Sequence, residues 1–166
     1  CLLVRSKAYW EVGGLDADFF AHMEEIDFCW RLQRAGHQIA AVSNCEVLHV
    51  GGGTLPQGNP QKTYLNFRNN LILLYKNWDP KTKWQTIFGR MLLDGIAGIQ
   101  FAIKGDFKQL LAILKSHKDF YGYMFSSAIK NNLAPEQQKN WIQSYPKSIV
   151  WAYFAKGIKS FQLLKF

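Results

Sequence analysis

The sequence predicts an α/β fold whose short strands are confined to the first third, followed by a predominantly α-helical remainder. Three observations carry that expectation. Short apolar or β-prone runs at Leu2-Leu3-Val4, Gln38 to Val42 and Cys45 to Val50 have the length of buried strands. Tyr64, Phe67, Leu71, Leu74, Tyr75 and Trp78 recur at spacings of three and four, the period of an amphipathic helix. Trp84 to Lys104 is strongly apolar, interrupted only by Arg90 and Asp94 and stopped by Gly105. The chain therefore divides into residues 1–60, mixed α/β, and residues 61–166, helical.

Taken in order, the first strand is followed by Ser6, which caps a helical turn from Lys7 to Val12 ending at Gly13-Gly14, where left-handed backbone is cheap. Leu15 to Phe20 is a loop that carries its two aromatics inward. A helix from about Met23 to Ala35 stops at Gly36 and turns Phe28, Leu32 and Ala35 toward the core. After the strands, the stretch from Gly51 to Pro60 is rich in Gly and Pro and carries no regular structure. Asp79 caps the next helix with Pro80 at its first position, and Asp106 caps another through roughly Tyr121. A last helix spans about Pro135 to Trp141.

Charge is distributed unevenly. The 166 residues carry a formal net charge of +8, yet residues 1–60 hold four Lys/Arg against seven Asp/Glu. Residues 61–166 hold sixteen against five, so the second half is built to face something anionic. Nucleic acid is set aside, because no recognition motif accompanies the charge and the aromatics fall on helix stripes. The three cysteines, Cys1, Cys29 and Cys45, are odd in number and lack CxxC spacing, which fits a reducing compartment. The opening residues read as a strand already under way, with no signal peptide, so a fragment of a larger domain in the cytoplasm is expected. No window of ~20 residues is uninterruptedly apolar, and no conventional membrane span is expected.

Five of the twelve carboxylates lie between Asp16 and Asp27. Glu24 and Glu25 open a helix, where the macrodipole favours negative charge by ~0.3–1 kcal/mol each. Asp27 and Arg31 stand at i,i+4 with the acid first, the favourable order for an ion pair. Capping and pairing thus explain all three acids structurally. Chemistry is the competing reading, since one carboxylate held near others is a better general base near neutrality. His49 closes a strand beside three glycines, a place suited to a metal or a phosphate. Gly52 and Gly53 belong to a loop that matches neither a Walker A motif nor GxGxxG and reads as a flap over substrate. Arg68, among Asn66, Asn69 and Asn70, suits phosphate or sugar oxygens.

In family order, GGLDADFF, EEIDFCWRLQRAGHQIAAV, VLHVGGGTL and YLNFRNNLILLYKNW resemble the carboxy-terminal half of glycosyltransferase family 2. These are GT-A-fold enzymes that include bacterial rhamnosyltransferase-like proteins. The likeness covers residues 1 to about 78. It implies an inverting, nucleotide-sugar-dependent transferase acting on a glycan or lipid-linked glycan acceptor, in cell-wall or polysaccharide biosynthesis. Glu25 stands where the family has the catalytic Asp of a Glu-Asp pair. Its extra methylene leaves open whether Glu25 or Glu24 is the base, with Asp27 beside them. Arg31 and Arg68 would bind substrate together with Gly52 and Gly53. His49 matches a residue that helps hold Mg²⁺ or Mn²⁺ or the donor diphosphate. The donor-binding half, with its Asp-x-Asp motif, is absent from this sequence, so the chain alone is expected to be inactive. Asp16-Ala17-Asp18 falls inside a different family element and is not that motif.

Trp84 to Lys104 and Tyr145 to Phe166 mix aromatics with Lys and Arg, as interfacial helices do, so peripheral contact with the cytoplasmic face of a membrane is expected. The rival reading is a non-catalytic helical module that binds a membrane surface or a partner protein, with the acids serving only as caps.

Overall fold

The structure, a computed structural model, describes residues 2–42, 44, 46–48, 56, 58–130 and 148–164. Six α-helices form there: α1 Ser6–Glu11, α2 Glu24–Arg34, α3 Pro60–Asn77, α4 Lys83–Ile103, α5 Phe107–Lys130 and α6 Ile149–Phe154. α3 packs most extensively on α5, α4 lies against both, and α2 rests on α3.

Local sequence explains most boundaries. α3 opens with Asn59 as N-cap, its side chain accepting from the Gln61 N–H at 2.8 Å, and Pro60 occupies the first turn, where no N–H is missed. α2 stops at Gly36, whose φ of +89° suits glycine. Asp106 accepts from the Gln109 N–H and opens α5 as expected, but α5 continues well past Tyr121 to Lys130. Asp79 instead accepts from the Lys81 N–H in a turn, and α4 starts later, after Thr82.

The core forms where α3, α4 and α5 converge. Phe19, Leu71, Ile72, Leu73, Ile87 and Phe120 are buried together, with Met23, Trp30 and Tyr75 packed around them. A second cluster joins Tyr64 and Leu65 to Ala112. Of the two loop aromatics, Phe19 is fully enclosed but Phe20 points to solvent. Likewise Phe28 and Leu32 of α2 are buried, whereas Ala35 is exposed.

The expected α/β class is corrected by the structure: among the described residues there is no strand, and the fold is helical. Residues 2–5, 37–42 and 46–48 carry no regular structure. A strand must exchange its N–H and C=O groups with a neighbouring strand. Among the described residues no such neighbour stands beside these runs, and Leu3 and Leu48 are fully exposed. The apolar residues are present, but the described residues form no sheet for them to join. The helix expected at about Pro135 to Trp141 lies outside the described residues.

Burial sets an expectation for stability. Ile72→Ala should lower unfolding free energy by ~2–5 kcal/mol, because a sealed core leaves a cavity behind. Ile96→Ala, on the outer face of α4, should change it by less than ~0.5 kcal/mol. Urea unfolding followed by circular dichroism checks both.

Candidate functional site

The candidate residues gather where the chain from Asp16 to Arg31 meets one face of α3. Asp16 accepts from the Asp18 N–H at 2.9 Å and so caps a single 3₁₀ turn, Ala17–Phe19. The chain then adopts left-handed φ at three residues that are not glycine: Phe20 at 60°, His22 at 69° and Met23 at 76°. Each such residue costs on the order of 1–3 kcal/mol unless its surroundings impose it.

Asn69 imposes it. Its fully buried amide nitrogen lies 2.8 Å from the carbonyl oxygens of Phe19, Ala21 and His22, and donates to all three. Two N–H groups thus serve three acceptors. Arg68 Nε donates to Asn69 Oδ1 at 3.0 Å, which fixes the orientation of the amide. Arg68 also donates through Nη2 to the Asp18 carbonyl, and its guanidinium lies over the Tyr64 ring. Expected as a substrate-binding residue, Arg68 stands as one of the ties between α3 and the turn.

Asp27 is buried completely. Its Oδ2 takes Arg31 Nε at 2.7 Å, its Oδ1 takes Asn77 Nδ2 at 2.7 Å, and Lys76 Nζ lies 3.8 Å away. Arg31 continues the chain of contacts, donating to the carbonyls of Val12 and Gly14. It thereby holds the Gly13-Gly14 turn against α2. Gly14 has φ +69°, and a Cβ there would stand 2.9 Å from the Tyr9 ring. Both members of the expected i,i+4 pair are therefore engaged within the protein.

Lys76 also pairs with Asp16. Burial pushes the Asp16 carboxyl upward, but the hydrogen bonds from Lys76 and the Asp18 N–H, with the charges of Lys76 and Arg31, outweigh it. The Asp16 pKa is held below its ordinary 3.8.

Glu24 and Glu25 begin α2 with Met23 as an N-cap that supplies no side-chain hydrogen bond. Glu25 is exposed and lies one turn before Cys29. Burial, aided by the Glu25 charge, pushes the Cys29 thiol pKa up, so this thiol is a poor nucleophile. Glu24 is half-buried, and its Oε2 has no hydrogen-bond partner among the described residues; the same holds for His22 Nε2. A cleft of about 470 Å³ opens beside the same turn, lined by Asp18, Tyr64, Arg68, Lys118, Asp119 and Tyr123. Tyr64 donates to Asp119 across it at 2.7 Å. Burial raises the Tyr64 phenol pKa, and Arg68 offsets this only in part.

His49, Gly52 and Gly53 lie outside the described residues. Among the described residues no three His, Cys, Asp or Glu side chains come together as a metal site. Sequence reasoning missed Asn69 and Asn77, the two amides that hold the turn and Asp27. A signal was present: Asn69 sits four residues after Leu65 and three before Ile72, inside the apolar stripe of α3. A polar residue there must find an internal partner.

The chain is 47% identical over 49 residues to N-acetylglucosaminyl-diphospho-decaprenol L-rhamnosyltransferase of Mycobacterium tuberculosis, in strains CDC 1551 / Oshkosh and ATCC 25618 / H37Rv. That stretch is 30% of this chain and spans only 16% of the length of those enzymes. Over part of its length the chain is glycosyltransferase-like. No family model matches it, and no solved structure matches it.

Two outcomes follow from the geometry. Asn69→Ala strips three carbonyls of their donor and should destabilise the protein by ~2–4 kcal/mol, with new protease cleavage between Phe20 and Glu25. Asp16 binds its proton more weakly when folded than when unfolded. Its contribution to stability is therefore complete above about pH 5 and lost as pH falls through 3.8 and below. Urea midpoints measured from pH 6 to pH 3 should fall less steeply in Lys76→Met than in the parent, over about that pH range.

Proposed function

We propose that this chain supplies the acceptor-activating part of an inverting, nucleotide-sugar-dependent glycosyltransferase acting at the cytoplasmic face of a membrane. The observation that carries the reading is the 47% identity to a rhamnosyltransferase whose name describes a lipid-linked sugar, N-acetylglucosaminyl-diphospho-decaprenol. The donor is a nucleotide-diphosphate sugar and the acceptor a glycan or lipid-linked glycan.

Glu25 is the base in this proposal. It is the exposed carboxylate at the start of α2, on a backbone fixed by the Asn69 clamp. Its carboxylate takes the proton of the acceptor hydroxyl as that oxygen bonds to the anomeric carbon. The bond from that carbon to the diphosphate oxygen breaks on the opposite side, and the electron pair leaves with the nucleoside diphosphate, so configuration inverts. Asp27 and Arg31 act as positioning residues, because their polar atoms hold α2 and the Gly13-Gly14 turn in place. Glu24, with an oxygen that lacks a partner among the described residues, is the second carboxylate within the same turn. A divalent cation, Mg²⁺ or Mn²⁺, belongs to the family resemblance through His49. The described residues bring no set of three His, Cys, Asp or Glu side chains together to hold it.

The test is sugar transfer by the complete natural protein, donor-binding half included. Glu25→Gln should lower kcat by ~10²-fold or more while leaving the thermal midpoint unchanged. Asp27→Asn should lower the midpoint as well, since it weakens the tie to Arg31. If Glu24→Gln and Glu25→Gln each cost only a few fold, the catalytic reading is wrong. A large loss in Glu24→Gln alone moves the base to Glu24.

A further inference from the structure

α4 has an unusual distribution of charge around its axis. It is 21 residues long, on the order of 31 Å at the α-helical rise. Its length and mean hydropathy of 1.3 would let it cross a membrane, and only 17% of its most apolar window is buried. Within it, after Lys83, the charged residues are Arg90 and Asp94. Both belong to the inner side. Asp94 is buried, with Arg90 Nε at 2.7 Å and His117 of α5 at 3.0 Å. The outer side presents Trp84, Phe88, Leu92, Ile96, Ile99 and Ile103, each more than half exposed and spaced three or four apart.

α5 extends this face. Phe107, Leu111, Leu114 and Phe125 are also more than half exposed. An apolar groove of about 520 Å³ runs between the two helices, bounded by Leu92, Gly95, Ile99, Leu110 and Leu114. Lys104, at the turn, and Lys108, in the first turn of α5, are exposed beside this face; Lys118 is exposed and also lines the cleft at Tyr64, and Lys115 Nζ lies over the Tyr64 ring. From Lys83 to Lys130 there are seven Lys/Arg against three Asp, and one of the three is the buried Asp94.

We infer that the outer face of the α4–α5 hairpin is a bilayer-docking surface, lying in the plane of an anionic membrane with its lysines at the headgroups. An exposed apolar face this long is a site of association. The charge selects the occupant. Two copies of the hairpin placed face to face would bring their lysine borders together, whereas anionic lipid neutralises them. The orientation follows as well. α5 carries Lys115, Lys118 and Asp119 at its middle and Lys108 in its first turn, and the turn before it carries Lys104 and Asp106. The hairpin therefore cannot enter the hydrocarbon end-on without burying those groups, while lying flat leaves them in water. The surface stands whether or not the chain transfers sugar.

Co-sedimentation of the complete protein with vesicles tests it. Vesicles of equal phosphatidylcholine and phosphatidylglycerol should bind at ~0.1 M salt, at least ~10-fold more tightly than phosphatidylcholine alone. Phe88→Glu with Ile96→Glu should lose ~10-fold or more of that binding. Lys104→Gln with Lys108→Gln should lose several fold on the anionic vesicles only, and this pair stands as the test if the first variant loses helicity. Lipids brominated near the headgroup should quench Trp84, read as the difference from Trp84→Phe, more than lipids brominated at the chain ends. No binding by the parent, or unchanged binding by both variants, overturns the inference. Stronger quenching by chain-end bromine overturns the in-plane placement. Self-association that the same glutamates abolish, without vesicle binding, assigns the face to a second copy instead.

Discussion

A single carboxamide governs the geometry of the N-terminal third. Asn69 reaches out of the α3 core stripe and gathers three carbonyl oxygens from four consecutive residues. Backbone carbonyls converge on one point only if the chain bends sharply, and the left-handed angles at Phe20, His22 and Met23 are that bend. The bend in turn aims α2 and decides which of its carboxylates face inward. Asp27 meets Asn77 and Lys76, while Glu25 is left toward solvent. The free energy that the turn requires is supplied by a helix more than forty residues away in sequence.

Much of this was legible in the residues, and the illegible part has physical causes. The cap at Asp106 and the stop at Gly36 are local chemistry that survives into the fold, whereas Asp79 closes a turn ahead of α4 and the Asn59 cap lies in a stretch read as irregular. The i,i+4 pair of Asp27 and Arg31 was readable for the same reason. Its burial was not, because what encloses Asp27 comes from α3. The strands failed on another ground. Apolar runs such as Leu2-Leu3-Val4 record a capacity to pair, and pairing needs a neighbour that periodicity cannot supply. Arg68 was legible only as a cation among amides; that it donates to the carbonyl of Asp18 and lines the cleft at Tyr64 depends on how α3 meets the turn.

The polar residues of the candidate site fall into two groups. Arg31, Asp27, Lys76 and Asn77 have partners within the protein and set position. Glu24, Glu25 and His22 stand around the strained turn and hold polar atoms that are either exposed or without a partner among the described residues. The basic half is partitioned in a parallel way. On α4 Ile87 and Met91 face the core together with the Arg90–Asp94 pair, while a second row of apolar side chains faces outward, where a soluble surface helix carries polar residues. The two halves thus differ in what they leave unsatisfied: hydrogen-bonding capacity near the turn, and apolar area along the hairpin.

The Gly13-Gly14 turn illustrates how unevenly such a framework tolerates sequence change. Gly13, at φ +82°, has open space where a Cβ would sit, so backbone angle alone restricts it, and an asparagine could meet that demand. Gly14 is restricted twice, by φ +69° and by the Tyr9 ring 2.9 Å from any added Cβ. The Tyr9 hydroxyl also accepts the Leu15 N–H, so the ring cannot retreat without giving up that bond. Of two adjacent identical residues, one is open to drift and the other is held. A library built on this chain should therefore spare Gly14 and vary its neighbour.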